Sequence, residues 1–115
     1  MQPEELADLV VEALDDVKAV DIRTIDVRPL TTMTDYMIIA SGRSDRQVRA
    51  MADSVTERAK GAGVRPLGVE GEKGGDWVLI DLGDVIVHAM QPDARDFYQL
   101  EKLWDPEGRA GRPAS

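Results

Sequence analysis

The chain has no cysteine in 115 residues, which excludes a disulfide framework and any thiolate metal site and suits a reducing cytosol. It has one histidine, His88, so no histidine-based metal cluster can form. No apolar run approaches the roughly 18 residues needed to cross a bilayer, and Met1 leads straight into an acidic helix. The expectation is a cytoplasmic chain with no membrane contact. Basic residues are also in deficit, 14 against 22 acidic, for a formal net charge of −8. Phosphate contacts dominate nucleic-acid affinity, so such a domain is a poor direct binder of DNA or RNA. The same charge favours a basic protein partner, although on charge alone simple solubility is the better explanation.

What is present is most informative between Gly75 and Met90. Two apolar runs are separated only by Gly83-Asp84, and glycine at the first loop position suits a type II′ hairpin turn. A two-residue loop fixes the register. Leu82 then faces Val85, Ile80 faces Val87 and Val78 faces Ala89, giving one wholly apolar side. On the other side Trp77 faces Met90, Leu79 faces His88 and Asp81 faces Ile86. That mixed side is expected to be covered incompletely or to meet a partner.

The rest of the chain reads as helix, two strands, helix, a short strand, the hairpin and a last helix. Leu6, Leu9, Val10, Ala13, Leu14 and Val17 follow helical spacing from Pro3 onward, with Glu12, Asp15 and Asp16 on a solvated face. A strand runs over 21–28. Tyr36 to Ala40 is nearly continuous apolar sequence, the mark of a strand buried on both faces. Ser44 and Gln47 form a capping-box pattern, and the helix they open is expected to bury Val48, Met51, Ala52, Val55, Ala59 and, at its end, Ala62. The short strand, 64–69, contains Pro66 and so belongs at a sheet edge. A flexible glycine-rich loop, 70–76, leads into the hairpin. The last helix starts at Pro92 and buries Phe97, Leu100 and Leu103 or Trp104. One domain over 1–106 and a polar, disordered tail over 107–115 are expected. The fold class is α+β, a mixed sheet of about five strands flanked by helices.

Catalytic readings find little support in the spacing. Metal-dependent phosphoryl transfer needs carboxylates converging on a cation, and residues i and i+3 on a strand oppose one another. Asp81 and Asp84 are so spaced, and no Asp-x-Asp or Asp-x-Glu pair falls in an expected strand. Ser44 is occupied as a cap, no Gly-x-Ser-x-Gly elbow is present, and the 71–75 loop lacks the Gly-Lys-Ser/Thr ending of a phosphate loop. No cofactor, metal or catalytic residue is assigned. A lone strand histidine such as His88 is more often structural than a ligand.

Several linked motifs carry a resemblance. Asp35 to Gly42 followed by Ser44 to Val48, then Glu70-Gly71 with Trp77 to Asp81 and Gly83 to His88, then Arg95, Phe97-Tyr98 and Leu100 to Trp104, resemble the ribosomal silencing factor family, also called Iojap-like. Met37 and Met90 stand where bulkier residues are common. The resemblance implies a nucleotidyltransferase-like α/β sandwich without catalytic residues. It also implies a translational repressor that binds the large ribosomal subunit through ribosomal protein fourteen and blocks joining to the small subunit under nutrient limitation. Relatives also act in large-subunit assembly, which is the alternative role. A degenerate nucleotide-handling enzyme is the rival from another class.

The expected contact face comprises Trp77 and Met90 as an apolar anchor, with Leu79 and Ile86 beside it. Asp81 and His88 add polar specificity, and Glu70 meets a basic residue. A minor contact with ribosomal RNA and a homodimer of the free protein through the same face are further expectations.

Overall fold

The hairpin turn closes as its two residues require. Gly83 adopts φ +86° whereas Asp84 stays out of positive φ, the combination a type II′ turn needs. The Leu82 N–H donates to the Val85 carbonyl at 2.9 Å, and Asp81 Oδ1 accepts from the Gly83 N–H at 2.8 Å. The expected register follows residue for residue, from Asp81 opposite Ile86 to Trp77 opposite Met90.

The computed structural model describes residues 1–108. They form α1 (Pro3–Asp16), β1 (Val20–Asp26), β2 (Tyr36–Ser41), α2 (Asp45–Gly61), β3 (Gly68–Glu70), β4 (Trp77–Asp81), β5 (Val85–Met90), α3 (Pro92–Tyr98) and α4 (Leu100–Trp104). The five strands make one mixed sheet in the order β1-β2-β5-β4-β3, with β2 and β5 parallel and every other pair antiparallel. The fold is α+β, with helices on both faces of the sheet. No helix among the described residues is long and apolar enough to cross a membrane. The expected tail falls mainly on 109–115, outside the described residues.

One sheet face is fully closed. Val78, Ile80, Leu82, Val85, Val87 and Ala89 of the hairpin pack with Ile38 and Ala40 of β2 under Leu6, Val10, Leu14 of α1 and Val48, Met51, Val55 of α2. Arg58 of α2 ion-pairs with Glu12 and Asp16 across the helix interface, so the acidic face of α1 is not wholly left to solvent. Ser44 Oγ accepts from the Gln47 N–H at 3.1 Å, as expected. The reciprocal half of the box differs: Gln47 Oε1 accepts from the N–H of Arg43, and its amide donates to the Lys18 carbonyl. That pairing ties the start of α2 to the end of α1.

Three elements depart from expectation. Strand β3 begins at Gly68 rather than at residue 64, because Pro66 has no N–H to donate; pairing starts with the Leu67 N–H on the Asp81 carbonyl at 2.7 Å. The 71–76 loop is pinned rather than free: Arg49 Nε and Nη2 each donate at 3.0 Å, to the carbonyls of Glu72 and Lys73. Gly71, at φ +89°, lies so close to the Trp77 carbonyl that any Cβ there would overlap it.

The third departure is the last helix, which breaks at Gln99 in the left-handed region, φ 51°. Its inward positions go to Ala94 and Arg95, with Leu100 and Trp104 half-buried from α4. Phe97 is 80 % exposed and Leu103 69 %, so neither is core. On this basis Leu14→Ala should cost about 3 kcal/mol, as large-to-small changes at fully buried sites do. Phe97→Ala should stay within about 0.5 kcal/mol. Urea unfolding midpoints check both, and an equal cost would mean that α3 presents its opposite side to the sheet.

A half-open sheet face with an aromatic cluster

The second sheet face is covered only in part. Helices α3 and α4 lay Ala94, Leu100 and Trp104 over Ile25, Val27, Met37, Ile39 and Met90, making a small second core on the β1, β2 and β5 side. Leu79 and Ile86, next along the same face, remain half-buried, and Glu70 of β3 stands opposite Leu79 and is exposed. Three rings border the uncovered half. The Trp77 and Tyr98 centroids lie 4.6 Å apart at an interplanar angle of 45°, and Phe97 meets Tyr98 edge-on at 5.0 Å. Tyr98 is 52 % exposed. An exposed group of large aromatics beside half-buried aliphatics is a composition enriched where proteins meet.

Trp77 is held from within the sheet. Its indole Nε1–H donates to His88 Nδ1 at 3.0 Å, which leaves the imidazole neutral with its proton on Nε2. Burial opposes any second proton and pushes the His88 pKa down from 6.5 to about 4. His88 thus orients the tryptophan. The structural reading of a lone strand histidine fits this geometry.

The expected contact residues divide. Trp77, Leu79, Ile86, Asp81 and Glu70 share the uncovered half of the face. Met90 has no exposed surface and belongs to the second core, and His88 is nearly as buried. Neither presents a side chain to a partner in this conformation. The reason is α3: the sequence pairs Met90 with Trp77 but does not show that Ala94 closes over one of them. Asp81 is partly engaged by the turn through its bond to Gly83. Tyr98 and Phe97 were missed as surface residues. Spacing gave no signal for this: Phe97 and Tyr98 fall three and four residues after Ala94, so helical periodicity groups them with the inward positions.

No group of three or more His, Cys, Asp or Glu positioned to hold a metal ion occurs among the described residues. A mixed sheet, closed on one face and half-open on the other beside a cluster of aromatic rings, defines a small α+β domain. Comparison with known proteins places it more narrowly. The family model described as "Ribosomal silencing factor during starvation" matches residues 1–113, and the chain belongs to that family. A Haemophilus influenzae protein named Ribosomal silencing factor RsfS is 50% identical over 99 residues, covering 86% of this chain and 97% of that protein. A crystal structure of a Chromobacterium violaceum protein superposes with a TM-score of 0.90 at 45% identity, covering 100% of this chain and 92% of the other. The mouse protein named Mitochondrial assembly of ribosomal large subunit protein 1 is 37% identical over 100 residues, 84% of this chain and 44% of the mouse protein.

His88 gives the site a pH signature. Unfolded, it takes up a proton below pH 6.5; folded, it resists until about pH 4. The unfolded state therefore binds more protons between those values, and the stability His88 contributes is complete above 6.5 and lost as pH falls towards 4. His88→Gln keeps an acceptor for Trp77 without titrating. From pH 7 to pH 4 the parent protein should lose roughly 3 kcal/mol more than this variant, measured by denaturant unfolding at each pH. Parallel losses would mean that His88 is charged, or free to become so, in the folded state.

Proposed function

We propose that this chain is a non-catalytic translational repressor of the cytoplasm that binds the large ribosomal subunit through ribosomal protein fourteen and sterically blocks joining to the small subunit. Membership of the silencing-factor family supports the ribosomal role, and the mouse relative's name points to the large subunit in particular. The observation that carries the contact surface is the uncovered half-face of Trp77, Leu79 and Ile86 bordered by Tyr98 and Phe97. The net charge of −8 suits a basic ribosomal protein, with Glu70 and Asp81 at the edge of the patch. The charge also confines any contact with ribosomal RNA to a minor one. The same face is available for a homodimer in the free protein, which would compete with ribosome binding. Large-subunit assembly is the second reading, again favoured by the mouse relative's name.

Cosedimentation with purified large and small subunits, run beside a subunit-joining assay, tests this. The chain should travel with large subunits and reduce joined ribosomes. Trp77→Ala should weaken binding by about 2 kcal/mol, a roughly thirtyfold loss, if Trp77 is an anchor. Binding with undiminished joining would favour assembly over silencing. No binding, or an unchanged affinity in Trp77→Ala, would defeat the proposed surface.

A further inference from the structure

Resting on the aromatic half-face as the partner surface, we infer that Arg95 is a positioning residue for that face. The charge ring it closes with Asp21, Arg23 and Glu101 holds α3 in the orientation that sets the Tyr98 ring against Trp77.

Helix α3 has only seven residues, and Ala94 and Arg95 are its buried ones. Ala94 supplies a single methyl to the second core, so apolar burial alone gives α3 little hold on the sheet. Arg95 supplies the rest. Its side chain is 8 % exposed; Nε donates to Glu101 Oε1 at 2.6 Å and Nη1 to Ser41 Oγ at 2.8 Å. Nη2 has no hydrogen bond but lies 3.5 Å from Asp21 Oδ2. Arg23 completes the circuit, 3.4 Å from Asp21 and 3.1 Å from Glu101. Two cations and two carboxylates thus alternate around a closed ring. It joins α3, α4 and β1, with Ser41 tying it to the carboxyl end of β2.

The geometry is specific to arginine. A planar guanidinium directs its donors at fixed angles and so fixes the helix that carries it; a lysine ammonium would not. The ring borders an open cleft of about 580 Å³ lined also by Pro92, Gln99 and Lys102. Solvent can therefore reach the partners, and the Asp21 and Glu101 side chains keep 45% and 22% of their surface exposed. Without Arg95 those carboxylates can rehydrate while the core under α1 and α2 stays intact. The loss then falls on the placement of α3. Tyr98 lies one turn beyond Arg95 on that helix, and the left-handed Gln99 joins it to α4, whose Glu101 holds Arg95 from the far side.

The test uses a Trp104→Phe background, which leaves Trp77 as the single tryptophan of the two in the chain. Arg95→Met should raise acrylamide quenching of Trp77 to the level of Tyr98→Ala, and Arg95→Lys should restore it only in part. Affinity for purified large subunits should fall about tenfold in Arg95→Met, with little further loss when Tyr98→Ala is added. A lowered Tm with unchanged Trp77 quenching, or full additivity with Tyr98→Ala, would overturn the inference. Should Arg95→Met not fold, Glu101→Gln opens the ring at a partly exposed position and must move the quenching in the same direction; no shift would equally overturn it. If quenching changes as expected while large-subunit binding is untouched by both Arg95→Met and Tyr98→Ala, the positioning role stands and the partner assignment falls.

Discussion

The register of the β4–β5 hairpin is the constraint on which the rest depends. Side chains alternate with period two, so a slip of one residue would exchange the apolar set Val78, Ile80, Leu82, Val85, Val87 and Ala89 for the mixed one. The core beneath α1 and α2 would then receive Asp81 and His88, and six aliphatic positions would be exposed. Gly83 prevents this by supplying the positive φ that a two-residue turn demands, and Asp81 reinforces it from the preceding strand. Because β5 also pairs with β2, the same turn sets the parallel register at the centre of the sheet. The positions of Trp77 and His88 on the second face are consequences of packing on the first.

That second face is governed by how far α3 and α4 can reach. Together they provide only Ala94, Leu100 and Trp104 as apolar cover, enough for the β1 and β2 side and for Met90 but not for Leu79 or Ile86. The half-open surface arises from this shortage of apolar helix surface rather than from a poorly formed sheet. Arg95 occupies a position where a long aliphatic residue would extend the core. Its partners are the carboxylates and the hydroxyl at the end of β2, so α3 is fastened by charge and geometry more than by area.

Local sequence carried the elements whose chemistry is local. The hairpin register, the buried strand Tyr36–Ser41, the Ser44 cap and the edge placement implied by Pro66 all rest on turn residues, periodicity or a missing N–H, and all are found. What failed depended on contacts between distant segments. Met90 and Phe97 exchanged roles, one entering the core and the other leaving it, because a helix of seven residues with one small and one charged inward residue carries almost no amphipathic signal. The Arg95 ring joins residues 21, 23, 41, 95 and 101, a separation over which charge pairing cannot be read from spacing. Gln47 likewise bonds to Arg43 and Lys18 rather than only within its own cap. The uncovered half of the sheet was legible in its strand residues, and the helical rings beside it were not.

A surface built this way has an energetic advantage for binding. Association must offset the freedom lost when interface side chains are ordered, about 0.5–1.5 kcal/mol for each rotamer-rich group immobilised. Trp77 has already lost much of that freedom, since its indole is fixed by His88 at one end and packed against the tilted ring of Tyr98. Leu79 and Ile86 project from a paired strand rather than from a loop, so their backbone needs no ordering. The proposed partner would therefore meet a pre-formed surface and have chiefly to desolvate it. The hydrogen bond inside the sheet and the charge ring at its edge contribute to the same end, keeping two aromatic side chains where a short helix and a strand end would otherwise leave them free to turn.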